Sequence, residues 1–138
     1  MLQALTFDFW GTLYQNVDGR EERLNLLDQV LARHSQPRSW AALEAAYQHG
    51  WSVMTRVWRE EHRTTTVEHW LHEVLAFLDA SLPEDVQAAL RRPLEEVHLY
   101  GNPPQPVPGV AEVLPRLAQR YRLGLISDVG LTPGRVLR

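Results

Sequence analysis

The chain of 138 residues contains no cysteine, which excludes a disulfide framework, thiolate catalysis and cysteine-ligated metal sites. Lysine is missing as well: all fourteen residues counted as Lys plus Arg are arginine. No apolar run approaches the roughly eighteen residues that a membrane span requires, and the N-terminus lacks the basic segment and apolar stretch of a secretory signal. The net charge of −3 carries no electrostatic footprint for nucleic acid. What the chain does have is 44% apolar residues, enough for a core, at a length that suits a single domain. Together these features predict a cytoplasmic protein whose partner is a small-molecule substrate, with neither nucleic acid nor membrane involved.

The apolar pattern changes character along the chain. Leu2 to Phe7 is mostly apolar without strict alternation, which suits a strand covered on both faces. Asn16-Val17-Asp18-Gly19 reads as a turn. From about Arg20 to Leu99 the pattern is helical. Leu24, Leu27, Val30 and Leu31 form an amphipathic stripe, and Gln36-Pro37 ends it. Ser39 is placed as the N-cap of a long helix from about Trp40 to His62, with Ala42 where a capping box would have Glu. Along that helix Tyr47, Trp51, Met54 and Trp58 make one heavy face, read as packing between helices in preference to a substrate-binding wall. A third helix is predicted from about Val67 to Ala80, and a fourth after Pro83. The proline-rich stretch Tyr100 to Pro108 can be neither helix nor inner strand. A helix from Val110 to Arg120 then leads into a strand from Arg122 to Ser127, and Thr132-Pro133-Gly134 predicts the start of another helix.

The chemistry concentrates at one point. Thr6-Phe7-Asp8-Phe9-Trp10-Gly11-Thr12-Leu13 delivers a carboxylate to the carboxyl end of an apolar strand, followed at once by a glycine turn. In sheets of parallel strands, ligands gather at that end, so Asp8 is the leading candidate for a nucleophile. Far along the chain, Leu123-Gly124-Leu125-Ile126-Ser127 is a second apolar run, ending in a hydroxyl.

These two runs, in this order, resemble the first and second motifs of the haloacid-dehalogenase-like hydrolases, in which an Asp attacks phosphorus or a halogen-bearing carbon to form a covalent aspartyl intermediate. The resemblance implies an α/β fold: a partial Rossmann-like parallel sheet from residues 1–19 and 99–138, with a helical cap, residues 20–98, inserted after the first strand and closing over the site. It also implies roles. Asp8 would be the nucleophile, and the backbone N–H groups of Phe9 and Trp10 would lie near the transferring group. Gly11 would permit the turn and Thr12 brace it. Ser127 and the N–H of Asp128 would hold phosphate or a substrate carboxylate, and Asp8 would be a ligand to Mg2+ if magnesium is bound.

Two departures shape the functional expectation. Where the phosphatase branch has a second Asp as acid and base, this chain has Trp10, whose indole N–H only donates. The dehalogenase branch carries an aromatic residue there. The family's later lysine and magnesium-holding acidic pair have no counterpart after Asp128 in a chain that ends at Arg138, so a core truncated after its second motif is expected. The leading expectation is therefore an aspartate-nucleophile hydrolase, phosphatase-like on a small phosphorylated metabolite but with impaired turnover. The alternatives are a 2-haloacid dehalogenase-like hydrolase and a catalytically inactive binding or oligomerising fragment. Because two parallel strands do not make an independently stable sheet, a homo-oligomer that completes it is expected. His69 and His72, three apart on a predicted helix, lack a third ligand and are not read as a metal site. Glu60-Glu61, Arg91-Arg92 and Glu95-Glu96 are read as solvated helix faces.

Overall fold

The computed structural model of the protein describes residues 2–100, 103–128 and 130–136. The chain divides into two compact units, one of Met1–Asp18 with Asn102–Asp128 and the other of Gly19–Gly101 with Val129–Arg138.

The larger unit is built from helices α1 (Arg20–Arg33), α2 (Trp40–Glu61), α3 (Val67–Phe77), α4 (Glu84–Glu95) and the single turn α5 (Val97–Tyr100). Each long helix follows from its sequence. In α1 the stripe Leu24, Leu27 and Leu31 is buried. Ser39 caps α2 by accepting from the Ala42 N–H at 3.2 Å, and Thr66 caps α3 by accepting from the His69 N–H at 3.3 Å. Pro83 stands one position before α4, as its N-cap, where a residue without an N–H leaves no donor unpaired. The heavy face of α2 is split by burial: Tyr47 and Met54 are in the core, while Trp58 is 51% exposed. Tyr47 meets the fully buried Trp70 of α3 edge to face at 5.5 Å. Helices α2 and α3 approach closely at Gly50, where a Cβ would lie 2.7 Å from Trp70 Nε1.

The remainder of this unit is the segment 130–136. The predicted helix after Thr132 is not formed among the described residues; Val136 N–H closes a turn onto the Pro133 carbonyl. Leu131 enters the helical core, and Arg135 pairs with both Glu95 and Glu96. Glu95 and Glu96 are 4% and 6% exposed, which overturns their reading as a solvated face. They lie at the end of α4, where Arg91 and Arg92 reach them one turn on and the Tyr100 hydroxyl donates to Glu96. Buried carboxylates are tolerated only with such partners.

The smaller unit contains β1 (Ala4–Phe7), α6 (Val110–Ala118) and β2 (Arg122–Leu125). The strands pair in parallel, with Phe7 beside Leu125. Gly109 starts α6 in a left-handed conformation, φ 85°, which glycine adopts at little cost. Gly101 and Asn102 of the proline-rich stretch lie outside the described residues.

The fold class expected from the sequence is corrected here. The described residues form six helices and one sheet of two strands, so the protein is helix-dominated and not an α/β, partial Rossmann-like fold with an inserted cap. The physical reason lies in burial. Of the buried apolar side chains among the described residues, only Phe9 belongs to the strand-bearing unit; the rest belong to the helical one. A strand motif in sequence specifies its own backbone and does not specify how many strands join it. No helix among the described residues is long and apolar enough to cross a membrane.

Candidate functional site

Asp8 is the residue after β1 and Ser127 lies two residues after β2. Because the strands are parallel and in register at Phe7 and Leu125, both chain ends leave the sheet on the same side. The ladder continues one residue beyond β2, where the Ile126 N–H donates to the Phe7 carbonyl at 2.9 Å. Ser127 Oγ then donates to Asp8 Oδ1 at 2.7 Å, joining residues 119 apart in the chain. The Phe9 N–H donates to the same oxygen at 2.8 Å. Two donors on Oδ1 hold the carboxylate plane, and Oδ2 accepts no hydrogen bond among the described residues. Asp8 is exposed and Ser127 half-buried.

The turn after Asp8 is held by its backbone. The Gly11 N–H donates to the Tyr14 carbonyl at 2.7 Å, and the Leu13 and Tyr14 N–H groups both donate to the Phe9 carbonyl. Gly11 has φ 72°, the left-handed region that a side chain opposes. Thr12 is exposed and its hydroxyl makes no hydrogen bond among the described residues, so the bracing expected of it is supplied by main-chain bonds instead. Trp10 is half-buried and meets Phe9 edge to face at 4.8 Å. Phe9 in turn stacks on Tyr14 at 4.7 Å.

The structure brings Asp8, Phe9 and Ser127 into direct contact, with Trp10 and Gly11 in the adjoining turn. It does not leave the Phe9 N–H for a transferring group, as the sequence suggested, because Asp8 itself occupies that donor. Asp128 is exposed and follows Ser127, whose hydroxyl lies at the longer distance of 3.5 Å from the Asp128 carbonyl. Tyr14 was missed as part of the aromatic group. Its signal was the Phe9, Trp10, Tyr14 spacing around a tight glycine turn.

Magnesium was expected at Asp8. Among the described residues no three or more His, Asp or Glu side chains are grouped to hold an ion, and Asp8 Oδ1 already accepts two hydrogen bonds. His69, set aside as a ligand from its sequence spacing, has its Nε2 buried without a hydrogen-bond partner among the described residues. An open groove of about 430 Å³ runs beside α6, lined by Val113, Arg116, Leu117, Gln119, Arg120 and Tyr121; neither Asp8 nor Ser127 lines it.

No protein-family model matches this chain, and a comparison with curated proteins finds no similar sequence.

Proposed function

We propose that Asp8 is the nucleophile of a hydrolase of the haloacid-dehalogenase-like kind, acting on a small phosphorylated metabolite in the cytoplasm. The observation that supports this reading is the 2.7 Å hydrogen bond from Ser127 Oγ to Asp8 Oδ1: it joins the two residues that the motif resemblance pairs. With Oδ1 held by Ser127 and the Phe9 N–H, Oδ2 attacks phosphorus. The bond from phosphorus to the leaving oxygen breaks, and that oxygen departs with the electron pair. Water then attacks the aspartyl phosphate at phosphorus and loses a proton to solvent; the Oδ2–P bond breaks, releasing phosphate and restoring the carboxylate.

Trp10 decides which leaving groups suit the site. It offers no acid to the departing oxygen, and general acid–base help is worth about a hundred- to ten-thousand-fold. Acyl and aryl phosphates, whose leaving groups need little protonation, are therefore the preferred substrates. The same residue favours a second reading, a 2-haloacid dehalogenase-like hydrolase, because halide leaves without a proton.

The test compares wild type with Asp8→Asn and Ser127→Ala, measuring phosphate release from acetyl phosphate and para-nitrophenyl phosphate and halide release from 2-chloropropionate, each with and without magnesium. Phosphate release that Asp8→Asn abolishes and Ser127→Ala lowers about tenfold, the rate equivalent of one hydrogen bond to a charged group, is the expected result. Halide release with the same dependence selects the second reading. Wild type no faster than Asp8→Asn on every substrate leaves a catalytically inactive binding fragment and sinks both.

A further inference from the structure

The open edge of β2 is complementary to itself. The Arg122 N–H donates to the Gln3 carbonyl and the Ile126 N–H to the Phe7 carbonyl, so alternate residues of β2 turn their backbone groups toward β1. Leu123 and Leu125, lying between them, turn theirs outward. Among the described residues the sheet order β1-β2 pairs only one side of β2. Every residue of this strand is exposed, with Leu125 at 48% and Ile126, just beyond, at 70%. A row of outward amides flanked by exposed apolar side chains is the feature that recruits another strand.

We propose that a second copy of this chain docks on this edge, β2 against β2, antiparallel, about a two-fold axis through Gly124. The choice of a second copy over another partner rests on register and charge. With Gly124 on the axis, Leu123 faces Leu125 of the second copy and Leu125 faces its Leu123. Both are hydrogen-bonded pairs, because these are the residues whose backbone groups point outward, and each pair exchanges two bonds. Gly124 faces itself across the closer, non-hydrogen-bonded spacing.

Arg122 faces Ile126 of the second copy. The two guanidinium groups thus sit at opposite ends of the ladder, and directly opposed like charges, which destabilise such pairs, are avoided. Centring on Leu125 instead would set Leu123 against Ser127, the residue that holds Asp8. The result is a four-stranded sheet in the order β1-β2-β2-β1, above the three strands that independent stability requires. The contact is isologous, so it closes at two copies and does not propagate. None of this depends on Asp8 being a nucleophile.

The absence of cysteine makes the axis directly testable, since an introduced thiol is the only one in the chain. Residues in a non-hydrogen-bonded antiparallel pair have Cα atoms about 4.5 Å apart, within disulfide reach. A Cβ at Gly124 meets Thr6 Cγ2 at 3.4 Å, an ordinary contact. Under mild oxidation Gly124→Cys is expected to form a covalent dimer faster than Ile126→Cys or Leu2→Cys. In sedimentation the wild type is expected to run as a dimer. The double variant Leu123→Lys, Leu125→Lys is expected to run at half that mass with its helical circular dichroism unchanged, because the helical unit has its own core.

Four results would overturn the proposal. The wild type could sediment as a monomer at every concentration. The double variant could remain dimeric. Leu2→Cys could cross-link first, which points to the β1 edge. Ile126→Cys could cross-link as fast as Gly124→Cys, which points to another register.

Discussion

Gly50 shows how much one missing methyl group can decide. A Cβ there would stand 2.7 Å from Trp70 Nε1 and 3.0 Å from Val74 Cγ2, and Trp70 is fully buried, so the ring has nowhere to swing. Alanine would gain about 1 kcal/mol of helix propensity, against about 1–3 kcal/mol for forcing volume into a packed core, and α2 and α3 must move apart to admit it, which loosens the packing between them. Gly50→Ala is expected to lower stability by about 1 kcal/mol, the middle of the difference between those two effects, read as a shifted midpoint in urea unfolding followed by helical circular dichroism; an unchanged midpoint would show that α3 can move away freely. In sequence this glycine is merely a weak helix residue, since its function depends on a tryptophan twenty positions away. The acid pair Glu95 and Glu96 was misread for a related reason: adjacent charges look solvated until Arg135, distant in the chain, is seen to cover them.

Among the elements, α3 gathers its polar contacts at its first turn. The Thr66 cap and Glu68 lie together there, and Arg91 of α4 reaches the Glu68 carboxylate at 2.8 Å. Partial burial alone would raise the Glu68 pKa, but the backbone N–H of the helix start, the Thr66 hydroxyl and Arg91 together hold it below the ordinary value of 4.5. A carboxylate with a depressed folded-state pKa contributes stability that is present above its unfolded pKa and lost as pH falls through the folded one. The difference in stability between wild type and Glu68→Gln should accordingly be present at neutral pH and shrink below about pH 4.5; a difference that stays constant into acid would assign the effect to packing. Thr66→Ala is expected to cost about 1 kcal/mol at neutral pH and less in acid, where protonation of Glu68 removes the part that the Thr66 hydroxyl contributes through that carboxylate. The cap position was legible at Ser39, where a polar residue precedes an apolar period. The role of Glu68 was not, because it needs Arg91 from another helix.

For the whole molecule the division of burial matters most. The helical unit holds nearly all the buried apolar side chains, whereas the strand-bearing unit buries Phe9 and leaves Leu2, Val113 and Ile126 exposed. Local opening is cheapest where few apolar contacts must be broken. In native-state hydrogen exchange at the lowest workable protein concentration, the amides of α2 and α3 should be the most protected and those of β1, β2 and α6 should exchange first. Protection of β2 equal to that of α3 would show that the strands have a core of their own. Protection of Leu123 and Leu125 that grows with concentration would follow from docking of a second copy.

Local order was written in the sequence itself. The apolar period placed α1 to α4 and α6, the residues Ser39 and Pro83 marked helix starts, and the two short runs ending at Asp8 and Ser127 announced the residues that meet at 2.7 Å. Tertiary structure alone decided that two strands pair among the described residues, that Glu95 and Glu96 are buried, and that the Phe9 N–H serves Asp8. Helix and strand periods depend on neighbours within a few positions, which spacing records. Burial, strand count and donor occupancy depend on what stands opposite in space, and a linear pattern does not record that.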